Sequence, residues 1–231
     1  MFRIQKHIII ILTFLMPILI KAQSISLGIG TDIPYQVYAN VTFETKQVDI
    51  SYKSGILTRP YSDAILNLFQ ALGTDEIYIK LLETSYDFGW MNTLGAYYKF
   101  GEKRKWYAGP ELRFDYFTAS ETPSGILEEI AGDRFENGNQ TTNIKGKLSV
   151  MTYAIGWRSG YKFELKQNNK HNFRIEISAA KYIATHATLK INGESNTNLN
   201  KYVDEQIWEN MFKRNGVLIG FGVSYAYRFK K

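Results

Sequence analysis

The stretch Gly216-Val-Leu-Ile-Gly-Phe-Gly-Val-Ser-Tyr-Ala-Tyr-Arg-Phe229, near the end of the chain, carries the alternation that decides the fold. Its odd-numbered positions are all apolar or aromatic, whereas its even-numbered positions are mostly small or polar. Because successive side chains of a β-strand point to opposite faces, this period predicts a strand with one apolar and one small or polar face. The run is long enough to cross a bilayer, which takes roughly 9–11 residues of β-strand.

The first 22 residues have the pattern of a secretory signal peptide. Arg3 and Lys6 precede Ile8–Ile20, a largely apolar stretch of 13 residues, and Ala22 supplies a small residue before the expected cleavage site. An uncleaved anchor helix would need about 20 apolar residues to cross a bilayer, so this stretch is too short for one. The sequence therefore predicts a signal peptide at residues 1–22 and a single domain at residues 23–231.

The composition limits the classes of function. Charged residues make up 22% of the 231 residues, which argues against a helical membrane protein, and no cysteine is present for a disulfide or a thiolate metal site. Removal of Arg3, Lys6 and Lys21 with the signal peptide leaves 25 of the 28 basic residues against 22 acidic ones. A net charge near +3 gives no support for nucleic-acid binding, so we expect no nucleic-acid partner.

Seven other stretches alternate in the same way and bring the predicted number of strands to eight. They are residues 24–30, 36–44, 48–53, 89–100, 105–117, 147–165 and 172–191. In the fifth of the eight strands, Pro110 has no N–H to give to the ladder, which predicts a local β-bulge.

The predicted connections alternate between short and long. Short turns are expected at 45–47, 101–104 and 166–171, long loops at 55–88, 118–146 and 192–215, and only the turn at 31–35 departs from this order. Apolar residues at helical spacing predict short helices within 62–73 and around 203–212, while 76–82 fits a helix or a strand. Short turns on one rim and long loops on the other are typical of a transmembrane barrel.

Alternation alone does not distinguish a membrane barrel from a soluble ligand-binding barrel, which would turn its apolar face inward. The glycines favour the membrane barrel, because the narrow interior of eight strands needs small residues, and they lie on the polar face. These glycines are Gly95, Gly109, Gly156, Gly160, Gly220 and Gly222. Aromatic residues also concentrate near the strand ends, as in the interfacial girdles of such barrels. The sequence therefore predicts that the apolar face contacts lipid.

Taken together, the signal peptide, the alternation, the unequal loops and the aromatic last strand resemble the small outer-membrane β-barrels of OmpA/OmpX-type architecture. The resemblance implies an all-β, eight-stranded antiparallel up-and-down transmembrane barrel with short periplasmic turns and long, partly helical extracellular loops. It implies a location in the Gram-negative outer membrane, in contact with its lipid. It also implies that Tyr225, Tyr227 and Phe229 are read by the barrel-assembly machinery, although Lys230 and Lys231 follow Phe229 here.

Charged residues on the polar faces of the strands form the candidate site. They are Asp49, Lys99, Glu111, Arg113, Asp115, Arg158, Lys162, Arg174, Glu176 and Arg228. Charges confined in a narrow lumen must be paired or hydrated, so we predict an acid–base network that fills the barrel. The alternative is a selectivity filter for a small solute.

The sequence favours a non-enzymatic protein with a structural or surface-interaction role, whose extracellular loops contact an unidentified ligand. The alternative is a narrow porin or transporter for small or hydrophobic solutes, with the loop helices as a lid. A third hypothesis is a lipid-modifying enzyme that uses His186 with Ser124 or Ser195, although their spacing does not support it. No spacing of His, Asp or Glu predicts a metal site and no motif predicts a cofactor, so we expect neither.

Overall fold

A computed structural model describes residues 24–57, 63, 67, 70–71, 86–120, 146–165, 170–191, 194–195, 201, 204–205 and 217–230. The predicted signal peptide, most of the two predicted helical stretches and residues 76–82 lie outside these residues, so the predictions made for them stay predictions. Among the described residues there is no helix with the length and hydrophobicity that a bilayer crossing requires.

The described chain consists almost entirely of β-strands. In chain order they are β1 (Ser24–Ile33), β2 (Gln36–Glu44), β3 (Val48–Leu57), β4 (Tyr86–Phe100), β5 (Trp106–Ser120), β6 (Gly146–Glu164), β7 (His171–Ile191), β8 (Glu194–Ser195) and β9 (Val217–Lys230). A single turn of 3₁₀ helix, Glu102–Arg104, joins β4 to β5. The two-residue β8 only extends the edge of β7, which leaves eight wall strands.

The eight wall strands close into an antiparallel barrel. Each strand from β1 to β7 pairs with the next, β7 pairs with β9, and β9 returns to pair with β1. The closing pair runs from Ser24 opposite Lys230 to Ile33 opposite Phe221. The predicted eight-stranded up-and-down barrel is confirmed, and so is the pairing of the last strand with the first. Closure leaves no exposed edge along the barrel wall.

Two local predictions about the strands are wrong. The turn expected at residues 31–35 contains only Pro34 and Tyr35, because the alternation of β1 continues through Asp32, which points inward, and Ile33, which points outward. No bulge occurs at Pro110, since β5 keeps one register with β4 on both sides of it. The ladder opens there without an inserted residue, and Gly109 lies against the carbonyl oxygen of Ala96.

A bulge that the sequence did not indicate lies in β7. Tyr182 pairs with Ala154 and Ala184 pairs with Tyr153, so Ile183 has no partner on β6. The extra residue switches the inward positions of β7 from even-numbered ones, ending at Tyr182, to odd-numbered ones, beginning at Ala187. Beyond Ile183, the odd-numbered side chains of β7 therefore point inward and the even-numbered ones point outward.

The two faces of the wall have opposite character. Inward side chains are polar or charged and buried, and Arg113, Arg158 and Glu176 are each at most 2% exposed. Outward side chains are large and apolar, and Ile29, Ile177 and Ile219 are each more than 60% exposed. This is the reverse of the arrangement in a water-soluble domain, where apolar residues fill the interior and unpaired charges avoid it.

Candidate functional site

Arg158 of β6 is the centre of the charged interior. Its Nη1 and Nη2 donate to the two carboxylate oxygens of Asp32 at 2.8 and 2.9 Å, and its Nε donates to Glu111 Oε2 at 2.7 Å. A further bond runs from Nη1 to Glu176 Oε2 at 3.0 Å. The planar guanidinium suits this task because its donors diverge in a fixed fork. One fully buried cation therefore holds three carboxylates from three different strands.

Two more bases complete the charge balance around Arg158. Lys53 Nζ lies 2.5 Å from Glu176 Oε2 and 4.0 Å from Asp32 Oδ1, and Arg113 Nη2 lies 2.6 Å from Glu111 Oε1. We call Asp32, Lys53, Glu111, Arg113, Arg158 and Glu176 the central cluster. Its three acids and three bases are neutral as a group, which offsets the cost of removing each charge from water.

Tyrosine side chains surround the central cluster and fill the space beside it. Tyr107 donates its hydroxyl to Glu176 Oε1 at 2.7 Å, and Tyr38 lies 3.4 Å from Glu176 Oε2. The rings of Tyr97 and Tyr107 pack 5.7 Å apart. Gly160, the partner of Tyr107 on the neighbouring strand β6, makes room for it, since a Cβ there would lie 2.7 Å from the Tyr107 hydroxyl. The barrel is thus filled at this level by side chains from opposite walls.

A second group of charges lies nearer the short-turn rim. Glu44 Oε1 accepts from Ser26 at 2.7 Å and from Arg174 at 3.2 Å, while Oε2 lies 3.2 Å from Lys162 Nζ and 3.0 Å from Arg228 Nη2. Arg228 also reaches Glu164 at 3.2 Å. We call Glu44, Lys162, Glu164, Arg174 and Arg228 the rim cluster. No salt bridge among the described residues joins it to the central cluster.

The ten residues predicted from the sequence are distributed among these groups. Glu111, Arg113, Arg158 and Glu176 belong to the central cluster, and Lys162, Arg174 and Arg228 belong to the rim cluster. Asp49 and Lys99 form a separate pair at 2.7 Å. Asp115 is only 3% exposed, yet no salt bridge joins it to a described residue; its cross-strand neighbour on β6 is Thr152. The charges therefore form several groups rather than one network.

Four residues of these clusters are not among the ten predicted from the sequence: Asp32, Glu44, Lys53 and Glu164. Asp32 lies in the predicted turn at 31–35. Glu44 and Lys53 end their predicted strands, and Glu164 lies one residue before the end of its own. The signal that identifies them is parity, because each falls on the inward series of its strand when the alternation is followed to the strand end. Without Asp32 and Lys53, the central cluster would have two acids and two bases.

The aromatic residues of the last strand face outward near the short-turn rim. Phe229 is 48% exposed and its ring lies 4.9 Å from that of Tyr227. His171 packs against Tyr225 and Tyr227, and its Nδ1 is hydrogen-bonded to the Tyr225 hydroxyl. A role for Tyr225, Tyr227 and Phe229 in barrel assembly stays a prediction.

His186, the base of the enzyme hypothesis, lies on the outer surface beyond the bulge of β7. Its side chain is 69% exposed, and its Nδ1 lies 3.8 Å from Asp204 Oδ2. No hydrogen bond joins it to a hydroxyl group within the described part of the chain. Ser195 pairs with Lys190, four residues along the strand from His186, or about 13 Å at the usual rise. Ser124 lies outside the described residues.

Asp204 also makes two hydrogen bonds to the wall of the barrel. Its Oδ1 accepts from the backbone N–H of Ala187 at 2.8 Å and from the hydroxyl of Thr185 at 3.2 Å. Both donors lie just past the bulge at Ile183. Asp204 thus joins the wall of the barrel at two groups in addition to its contact with His186.

Gly222 lies beside the central cluster, where there is no room for a side chain. An alanine Cβ at this position would lie 2.5 Å from Asp32 Oδ1 and 3.2 Å from Arg158 Nη1. We expect Gly222→Ala to lower the free energy of unfolding by about 1–3 kcal/mol, because the displaced carboxylate has no other place in a filled interior. Chemical unfolding in detergent micelles, followed by tryptophan fluorescence, measures the change.

Gly220→Ala is the matched control in the same strand. Its Cβ would meet Ser178 Oγ at 3.0 Å and Tyr35 Cε2 at 3.1 Å, contacts that small shifts of these side chains relieve. A loss for Gly220→Ala equal to that for Gly222→Ala would contradict the assignment of the cost to the Asp32–Arg158 contact.

Within the described residues, no cluster of three or more His, Asp or Glu side chains is arranged to hold a metal ion. The acidic and basic side chains of the central cluster neutralise one another. Every carboxylate in the central cluster is bonded to at least one guanidinium or ammonium group, which leaves none with the free lone pairs of an open cation site.

Comparison with known proteins gives distant structural neighbours. No protein-family model matches the chain, and a search of curated protein sequences finds no match. Similar solved structures include a major outer membrane protein from Thermus thermophilus, with 11% identity and a TM-score of 0.43 over 89% of this chain and 98% of that one. CarO2 and CarO of Acinetobacter baumannii are each 9% identical with a TM-score of 0.40, covering 89% and 90% of this chain and 98% of each neighbour.

Proposed function

We propose that this chain is an outer-membrane β-barrel protein without enzymatic activity, with a structural or surface-interaction role through its long loops. The observation that supports the proposal is the reversed polarity of the wall, with isoleucine, phenylalanine and tryptophan outside and ion pairs inside. In water, contiguous exposed apolar patches of more than a few hundred Å² are rare. A bilayer solvates such a face, and a closed barrel leaves no unpaired backbone group along its wall in lipid.

Aromatic residues near the short-turn rim support the same placement. The rings of Trp106 and Tyr161 lie 4.8 Å apart and those of Tyr161 and Phe163 lie 4.6 Å apart, on the outer surface of β5 and β6. Toward the other rim, Trp90 donates its indole N–H to Ser54 Oγ at 2.9 Å. Such rings prefer the interface between lipid and water. We propose that the short-turn rim faces the periplasm and the long loops face outward.

The filled interior supports a structural role over a pore. The central cluster spans the lumen from β1 to β6, since Asp32 and Arg158 come from these two strands. A solute would have to separate buried charge pairs at this level, at a cost of several kcal/mol. The long loops predicted at 55–88, 118–146 and 192–215 are then the parts of the chain that we expect a partner to contact.

We predict that the purified protein gives no stepwise conductance in planar lipid bilayers. The reason is the central cluster, whose side chains fill the barrel at one level. Insertion is checked separately in vesicles, where the folded barrel should resist added protease at its strands and should need heating to unfold in detergent gels. Reproducible single-channel steps with protein that passes these checks would reject the structural role.

A cellular experiment tests the membrane placement itself. Expressed with residues 1–22 in a Gram-negative host, the protein should sediment with the outer membrane and lose the signal peptide. Recovery in the soluble periplasmic fraction would contradict the proposal.

A narrow pathway for small solutes is the second candidate. A cavity of about 270 Å³ opens at the short-turn end, and its lining includes residues of the rim cluster. On the other side of the central cluster, Asp115, Thr93 and Thr152 are buried polar residues facing the interior. This route requires the central cluster to move, so the bilayer recording separates the two candidates.

A further inference from the structure

We propose that the short-turn end of the barrel is a binding site for small phosphate-bearing anions. The inference goes beyond the proposed structural role and rests on the cavity of about 270 Å³ at this end. Six of the residues that line it are basic and two, Glu44 and Glu164, are acidic, in contrast to the equal numbers in the central cluster.

The acids that line the cavity are already engaged by bases. Glu44 contacts Lys162 and Arg228 on one oxygen and Arg174 on the other, as described above. Glu164 contacts Arg228 at 3.2 Å. Glu44 thus contacts three cations, and Glu164 shares one of them. Neither carboxylate is left to neutralise the basic residues of the turns.

Two lysines at the mouth contribute charge with no internal partner. Lys46 lies in the turn after β2 and Lys103 in the turn after β4; both are exposed, and neither forms a salt bridge with a described residue. Lys99, by contrast, is held by Asp49 at 2.7 Å and by the carbonyl oxygen of Thr45 at 2.5 Å. The excess positive charge is thus located at the entrance of the cavity.

The two turns are held together at the entrance. Arg104 Nη1 donates to the carbonyl oxygen of Lys46 at 2.9 Å, which ties the turn after β4 to the turn after β2. Lys103 and Arg104 both have positive φ, at 59° and 52°, in a region that residues with a Cβ seldom adopt. The hydrogen bond thus joins the two turns that carry Lys46 and Lys103, and both lysines line the cavity.

The size and charge of the cavity indicate the class of ligand. A volume of about 270 Å³ lies just below the range of roughly 300–1,000 Å³ typical of sites for drug-sized molecules, so a compact anion fits best. Phosphate offers several oxygens to several ammonium groups, and lysine binds phosphate as a point charge. A phosphate could come from a free solute or from a lipid headgroup at the rim.

Titration of the full chain with inorganic pyrophosphate in micelles of uncharged detergent tests the site by calorimetry. We expect saturable binding to one site, weakened at least about tenfold by Lys46→Ala/Lys103→Ala, because two of the closest unpaired charges are lost. Lys147→Ala/Lys190→Ala is the matched control; it removes two exposed lysines that pair across β6 and β7 near the other rim. The control should bind like the wild type.

The outcome that overturns the proposal is an absence of saturable binding, or equal weakening in both double variants, which would indicate only bulk charge. The same titration in nanodiscs with and without phosphatidylglycerol identifies the source of the phosphate. Competition by the anionic lipid would assign the site to a headgroup, and unchanged affinity would assign it to a free anion. Circular dichroism of each variant confirms that the barrel is folded.

Discussion

Arg158→Met is expected to lower the free energy of unfolding of the barrel by about 3–5 kcal/mol, the largest loss expected for any single inward residue. Methionine is close to arginine in length but supplies neither the charge nor the donors. Three carboxylates would then share the two remaining bases of the central cluster, Lys53 and Arg113. Removing one partner of a buried ion pair is costly because the other charge stays buried without compensation.

The geometry explains why Lys53 and Arg113 do not take over. Arg113 is already bonded to Glu111 at 2.6 Å and to Ser178 Oγ at 2.9 Å, so it is committed to one acid. Lys53 lies 2.5 Å from Glu176 but 4.0 Å from Asp32. Asp32 is therefore the carboxylate that loses most, since both of its short bonds come from Arg158.

Urea unfolding in micelles, followed by tryptophan fluorescence, measures the loss. Arg104→Met is the control of the same chemistry at an exposed site, where one hydrogen bond to a backbone carbonyl is lost, and it should cost less than about 1 kcal/mol. If Arg158→Met does not fold, Arg158→Lys keeps the charge without the fork and should fold with an intermediate loss. An Arg158→Met protein as stable as Arg104→Met would show that the central cluster does not hold the barrel together.

The wall of the barrel was predictable from the sequence because it depends on local alternation. The predicted last strand, residues 216–229, differs by one residue at each end from the observed Val217–Lys230. The inward placement of Arg158 and Glu176 follows from the same parity. Parity does not give the level of a side chain along the barrel axis, because that level depends on strand tilt and on register across the closed sheet. The contact of Arg158 with Asp32, 126 residues apart, is therefore absent from any local pattern.

The errors have physical reasons of the same kind. Asp-Ile-Pro is typical of a turn, and only the pairing of Asp32 with Gly222 and Gln36 extends β1 through it. Pro110 predicted a bulge because it has no N–H to donate. In the structure, residues 109 and 110 of β5 have no partners on β4, so no N–H is required there. The bulge at Ile183 reverses the parity of β7 past that point, so the alternation read from its first half does not transfer to its second.

Ile29→Lys is expected to destabilise the barrel in a bilayer by about 2–4 kcal/mol, the cost of a lysine near the midplane on the lipid face. Ile29 is 66% exposed and is the middle of the outward series of β1, which runs from Ile25 to Ile33. If the outer face met water, the same substitution at so exposed a position would change stability by less than about 0.5 kcal/mol. The sign and size of this one change therefore test the proposed membrane placement.

Ile25→Lys in the same strand is the matched control. Ile25 pairs with Phe229 at the short-turn end, where a lysine reaches the interface and should cost only about 0–1 kcal/mol. Both variants and the wild type are refolded into phospholipid vesicles and unfolded with urea, so that the bilayer is the solvent in each case. We expect a large loss for Ile29→Lys and a small one for Ile25→Lys, because the cost of a charge in lipid grows with depth. Equal and negligible losses, together with folding of Ile29→Lys in detergent-free buffer, would mean that the apolar face of this barrel is not covered by lipid.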